Sequence, residues 1–144
     1  MNTISLKNLC ILFFLILSLS AFSQNAFKPD QLIQPDVLVK KIDGPEVNRP
    51  IILNVGVEKN IKSSIEIGIL SSPSKQEKLK RAMTNIDKKK EIVIYCGCCV
   101  LKDCPNIPAA LSYVKSLGYS NVKILNLPVG LDEDWVAKKY PMNY

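Results

Sequence analysis

The sequence predicts an α/β fold, a mostly parallel sheet of about four or five strands with helices on both faces. Two observations carry that prediction. Strand-like and helix-like segments alternate along the chain with short connections, and the strand-like segments are apolar on both faces, as strands covered from both sides must be. At 144 residues, 47% of them hydrophobic, the chain suffices for one core and is short for two.

Residues 9–19 (LCILFFLILSL) form an apolar run preceded by Lys7 and followed by small residues ending in Ala21-Phe22-Ser23. This pattern predicts a secretory signal peptide over 1–23, cleaved after Ser23, with an uncleaved membrane anchor as the alternative. Cys10 would leave with it. The rest, holding four of the five cysteines, is expected to be periplasmic or secreted, with 24–35 as a lead-in segment and 36–144 as one domain. A monomer is expected.

Over 28–43, Leu32, Ile33, Val37, Leu38 and Ile42 recur at helical spacing around Pro35, giving a short lead-in and then a helix that Gly44-Pro45 ends. Ile51-Ile52-Leu53-Asn54-Val55 reads as a buried strand and Ile65-Glu66-Ile67 as a shorter one. Over 71–86, Ser74 and Glu77 have the spacing of a capping box, and Leu79, Ala82, Met83 and Ile86 fall on one helical face. Lys88-Lys89-Lys90 reads as a solvated turn. No aromatic residues interleave with it, so no nucleic-acid partner is expected from the net charge of +6. Ile92-Val93-Ile94-Tyr95 is the next buried strand and ends at Cys96, with Tyr95 pointing to the face opposite the cysteine. Asn106 is expected to cap a helix carrying Pro108 in its first turn, with Ala110, Tyr113, Val114 and Leu117 on one face and Gly118 at its end. Val122-Lys123-Ile124-Leu125 is a further strand. A last short helix over 131–139 is anchored by Trp135, and Asp132, Glu133 and Asp134 suit its N-terminus.

The chain contains no histidine, which excludes histidine-based triads and general bases and every imidazole metal site. Chemistry must come from cysteine, carboxylate, lysine or backbone, and the cysteines are concentrated in one loop. Cys96 stands at the carboxyl end of a strand, where ligands bind in parallel sheets. The loop continues Gly97, Cys98, Cys99, Val100, Leu101, Lys102, Asp103, Cys104 and Pro105 into a helix. Its amide groups and the positive end of the helix dipole form an expected anion pocket that favours a thiolate. Cys96 is therefore the candidate nucleophile, with Lys102 as the one cation in the loop.

Several spacings together resemble a rhodanese domain over roughly 36–142: Tyr95-Cys96 after an apolar strand, Ala109-Ala110 before Gly118-Tyr119, Asn121-Val122, and Trp135 before Pro141. More weakly, 51–55 resembles the family strand ending Asp-Val-Arg, and 61–65 its His-Ile-Pro-Gly-Ala-Ile stretch. The resemblance implies a sulfurtransferase that carries a persulfide on Cys96, a loop backbone that cradles a small sulfur-containing anion, a thiol acceptor, and no cofactor. The segment from Cys96 to Asn106 also resembles an exported bacterial subgroup with a Cys-Gly-Cys-Cys…Cys-Pro-Asn loop. The chain departs from the family in four places. The loop is four residues longer, its arginine is missing, Asn54 and Gly56 stand in place of the acid and arginine, and 126–130 replaces a Gly-Gly turn.

Four cysteines leave three chemistries open. Cys96 can carry sulfane sulfur, with Cys98, Cys99 or Cys104 as a resolving thiol. All four thiolates can instead hold a soft ion such as Cu(I), or Zn²⁺. In an oxidising compartment, Cys98 or Cys99 can pair with Cys104 as a staple on a non-catalytic binding module.

Overall fold

The computed structural model describes residues 27–143 except Glu58. The signal-peptide reading over 1–23, with Cys10, lies outside the described residues. Five parallel strands form one sheet: β1 (Leu32–Ile33), β2 (Ile51–Asn54), β3 (Ser64–Glu66), β4 (Ile92–Tyr95) and β5 (Val122–Leu125), in the order β1-β5-β4-β2-β3. Three helices connect them: α1 (Pro35–Asp43), α2 (Pro73–Ala82) and α3 (Asn106–Ser116). Among the described residues, no helix is long and apolar enough to cross a membrane.

The two-sided apolarity of the strands has a direct structural meaning. Along β4, Ile92 and Ile94 enter a core with Leu79 of α2, Met83 just after that helix, and Ile107, Ala110 and Val114 of α3. Val93 and Tyr95 enter the opposite core with Leu38 and Ile42 of α1 and Trp135. Side chains alternate across a strand, so each residue of β4 is buried against one helix layer or the other. The result is three layers with β4 at the centre. A buried leucine or isoleucine contributes roughly 1.5–3 kcal/mol relative to exposure, and β4 is buried at every position.

Four local expectations are corrected. Leu32 and Ile33, read as part of a lead-in, pair with Ile124 and Leu125 as an edge strand; two residues are too few to show a period. Helix α2 starts at Pro73 after Ser72, with no side-chain cap, and Glu77 pairs forward with Arg81 at 3.2 Å instead of reaching back. Pro at the first position supplies the preset φ that makes the cap unnecessary. Asn106 is the first residue of α3 rather than its cap. The closing helix is a single π turn, Asp132–Val136.

Other readings hold. Tyr95 points away from Cys96 and accepts the Ile61 N–H at 2.9 Å. Trp135 is fully buried, donates from Nε1 to the Pro141 carbonyl at 3.1 Å and meets Tyr140 edge-on at 5.3 Å. Within the lysine run, Lys88 and Lys90 donate to the Leu117 and Val47 carbonyls at 2.8 and 2.9 Å, and Lys88 also lies over the Tyr119 ring.

The strand order fixes where a site can form. From β2 the chain turns outward to β3, whereas from β4 it turns the other way to β5. The two connections diverge at the carboxyl ends of these adjacent strands and leave a crevice between them. Gly56 leaves β2 and Cys96 leaves β4 at that crevice.

Candidate active site

The loop after β4 folds back over the crevice, so Cys96 is 1% exposed. A candidate nucleophile facing an anion pocket implies an accessible sulfur, and here the sulfur is covered instead. The reason lies just past β2: a Cβ on Gly56 would stand 2.8 Å from Cys96 Sγ and 2.8 Å from the Gly97 nitrogen. The backbone just past β2 is therefore in contact with the cysteine loop, and only glycine leaves room for the sulfur. Asn54, fully buried, locks this approach. Its Oδ1 accepts the Gly56 N–H at 3.0 Å and the Gly97 N–H at 3.4 Å, while its Nδ2 donates to Asn60 Oδ1 at 3.0 Å. Asn54 and Gly56 are positioning residues that sequence reasoning did not assign to the site. Their sequence signal was the departure from the family's acid and arginine on this strand.

Around the Cys96 sulfur the surroundings are rich in donors. The Cys104 thiol donates to it, as do the Cys98 amide, the Cys98 thiol at 3.3 Å and the Asn106 side-chain amide at 3.9 Å. These donors, Cys104 foremost, outweigh burial and hold the Cys96 pKa down to about 5. Cys104 is held protonated, chiefly because its S–H is given to Cys96 and also because it is buried. Two close thiols share one proton, and Cys96 is the member that is ionised.

The positive end of α3 acts through this pair. The Cys104 sulfur accepts the N–H groups of Ile107 and Asn106, taking the cap role expected of Asn106, whose side chain turns to Cys96 instead. The field of the helix mouth thus reaches Cys96 by way of the Cys104 thiol.

Cys98 is exposed and Cys99 is half-buried, their sulfurs 3.3 Å apart. Burial, with the Cys98 thiol and the charge on Cys96, pushes Cys99 up to about 12. All four described cysteines are free thiols. The sulfurs of Cys96, Cys99 and Cys104 lie within 4.8 Å of one another, a spacing that suits three-coordinate binding of a soft ion.

Beside the loop lies a cleft of about 320 Å³, lined by Gly97, Cys98, Cys99 and Val100 with Val57, Lys59, Asp132 and Glu133 opposite. Lys59 is bound to Asp132 at 2.6 Å, so the lining carries net negative charge. Lys102 and Asp103 are exposed and Leu101 is buried; none of these three lines the cleft.

No protein-family model and no curated protein matches the sequence. Solved structures with a similar fold include a complex of EanB with hercynine, 20% identical at a TM-score of 0.57, over 78% of this chain and 27% of that one. Wild-type EanB matches at 18% identity and a TM-score of 0.57, over 82% and 29%. A cysteine-persulfide form of EanB with ergothioneine matches at 20% and 0.54, over 77% and 27%. The chain spans 27–29% of the length of these proteins. The likeness is one of fold: the chain is an α/β protein of rhodanese-like three-layer architecture.

Proposed function

We propose that this chain is a sulfur-transfer protein that carries sulfane sulfur as a persulfide on Cys96. The observation that supports the reading best is the donor set around Cys96, which keeps its sulfur ionised at neutral pH at the divergence point of a parallel sheet. A thiolate is the form that attacks sulfane sulfur. In the loading step the Cys96 thiolate bonds to the sulfane sulfur, the bond from that sulfur to the donor breaks, and the donor leaves as its thiolate or other anion. In the unloading step an acceptor thiolate takes the outer sulfur and Cys96 returns to a thiolate. The donors that hold the Cys96 thiolate suit the persulfide anion equally. That one EanB structure with this fold contains a cysteine persulfide is consistent with the reading.

The partners under this reading are small: a sulfur donor and a thiol acceptor. Export through cleavage after Ser23 belongs to the same proposal, and the mass of the mature N-terminus from the native envelope tests it. The activity is tested by intact-protein mass spectrometry after incubation with cysteine persulfide. One added sulfur atom, removable by a thiol reductant and found on Cys96 when the alkylated protein is digested and mapped, is the expected result. An unmodified wild-type protein would sink the reading.

A further inference from the structure

The persulfide reading leaves a problem of access. Cys96 is 1% exposed. On one side the backbone of Gly56 lies against its sulfur, and on the other Leu101, Cys104 and Ile107 are buried in the same core. Cys96 does not line the cleft beside the loop, whereas Cys98 does. Cys98 is also the exposed member of the four, and its sulfur is 3.3 Å from that of Cys96. A donor arriving in the cleft meets Cys98.

We propose that Cys98 is the receiving thiol of a two-step sulfur relay, and that Cys96 is the buried carrier it loads; this rests on the persulfide reading. In the first step the Cys98 sulfur bonds to the outer sulfur of a small-molecule persulfide, R–S–SH. The bond between the two donor sulfurs breaks, and R–S⁻ leaves and takes up the thiol proton of Cys98. In the second step the Cys96 thiolate bonds to that same outer sulfur, its bond to Cys98 breaks, and Cys98 is left as a thiolate. One S–S bond forms and one breaks in each step. No net oxidation occurs, and no further reactant is needed.

The arrangement separates two needs that one cysteine would meet poorly. Exchange with a bulky donor requires exposure, and keeping a persulfide from adventitious thiols requires cover. Gly97 is the single residue between the two sulfurs, and its N–H is anchored to Asn54 Oδ1, so the pair is held in register from β2. The cleft also narrows the donor class. With Glu133 and Asp132 against the one, already paired, Lys59, it suits an uncharged, zwitterionic or cationic thiol persulfide better than a dianion.

The test is rapid-quench alkylation of the full chain after mixing with cysteine persulfide, followed by site-resolved mass spectrometry. In the wild type the added sulfur is expected on Cys98 first and on Cys96 later. Cys98→Ser, which keeps a hydroxyl donor beside Cys96 at an exposed position, is expected to load Cys96 at least ~10-fold more slowly, while Cys96→Ser retains the sulfur on Cys98. Equal loading of Cys96 in wild type and Cys98→Ser overturns the relay and leaves the carrier role intact. A Cys96–Cys98 disulfide formed with release of sulfide also overturns the relay, because the sulfur is then expelled instead of passed to Cys96. Absence of added sulfur on either cysteine of the wild type refutes the carrier role, and the relay with it.

Discussion

Removing the Cys104 thiol isolates the interaction that does most to ionise Cys96. In Cys104→Ala the donor with the largest effect on Cys96 is gone, and the Cys96 pKa is expected to rise from about 5 toward the ordinary thiol range near 8.5. The consequence for stability follows by linkage. A group whose folded pKa is depressed contributes stability that is fully present above its unfolded pKa and is lost as pH falls through the folded one. For Cys96 that window runs from about pH 9 down to about pH 5. Each pH unit within it is worth about 1.4 kcal/mol, so at pH 7 the ionised sulfur contributes at most about 3 kcal/mol. Above pH 9 the slope reverses, because the folded state resists ionising Cys99 and Cys104 while the unfolded chain does not. Wild-type stability should therefore rise between pH 5 and 8 and peak near pH 9. In Cys104→Ala most of that rise should vanish. A pH-independent loss of about 1–2 kcal/mol should remain, from the small cavity and from the Asn106 and Ile107 amides deprived of their acceptor. Cys104→Ser, which keeps a hydroxyl that donates and accepts, should fall between the two. Urea unfolding across pH, together with the ultraviolet absorbance of the thiolate, measures both quantities. An unchanged Cys96 titration in Cys104→Ala would show that the Cys104 thiol is not what ionises Cys96.

Gly56→Ala should lower stability by about 1–3 kcal/mol, because the new methyl group meets backbone and a buried sulfur that cannot both retreat. It should also raise the Cys96 pKa by displacing the loop from Asn54; urea unfolding and thiolate absorbance at wild-type values would contradict this. Cu(I) added without oxygen should occupy the sulfurs of Cys96, Cys99 and Cys104 at one ion per chain and block persulfide formation. Competition with a chromophoric Cu(I) chelator reads the stoichiometry, and sulfur loading unaffected by bound Cu(I) would oppose that assignment. Neutralising the cleft with Asp132→Asn and Glu133→Gln should raise the rate with thiosulfate by a few-fold at low salt and leave cysteine persulfide nearly unchanged. Equal effects on both donors would remove charge from the account of donor choice.

The parts of the fold that announce themselves in the sequence are those governed by local period and length. The run from Ile92 to Tyr95 is apolar at every position because both faces of β4 are covered, and α3 shows its proline, its apolar face and its terminal glycine. The position of Cys96 at a strand end was legible for the same reason. What was not legible depends on which strands become neighbours. Asn54 and Gly56 matter because β2 lies beside β4, and nothing local to either strand says so. The burial of Cys96 follows from that adjacency. Leu32 and Ile33 form a strand only because β5 offers them an edge. Cys104 looked like a candidate staple or resolving thiol, but its sulfur caps α3 and gives its proton to Cys96, a double role that only the folded loop defines.

Cys96 is a thiolate at neutral pH while Cys99 and Cys104 beside it are not. Chemical-shift titration of cysteine labelled with ¹³C at Cβ, assigned residue by residue, tests this without reagents that must reach a buried sulfur. The expected result is a Cys96 midpoint near pH 5, with Cys99 and Cys104 unionised up to at least about pH 9. A Cys96 midpoint in the ordinary thiol range would contradict it.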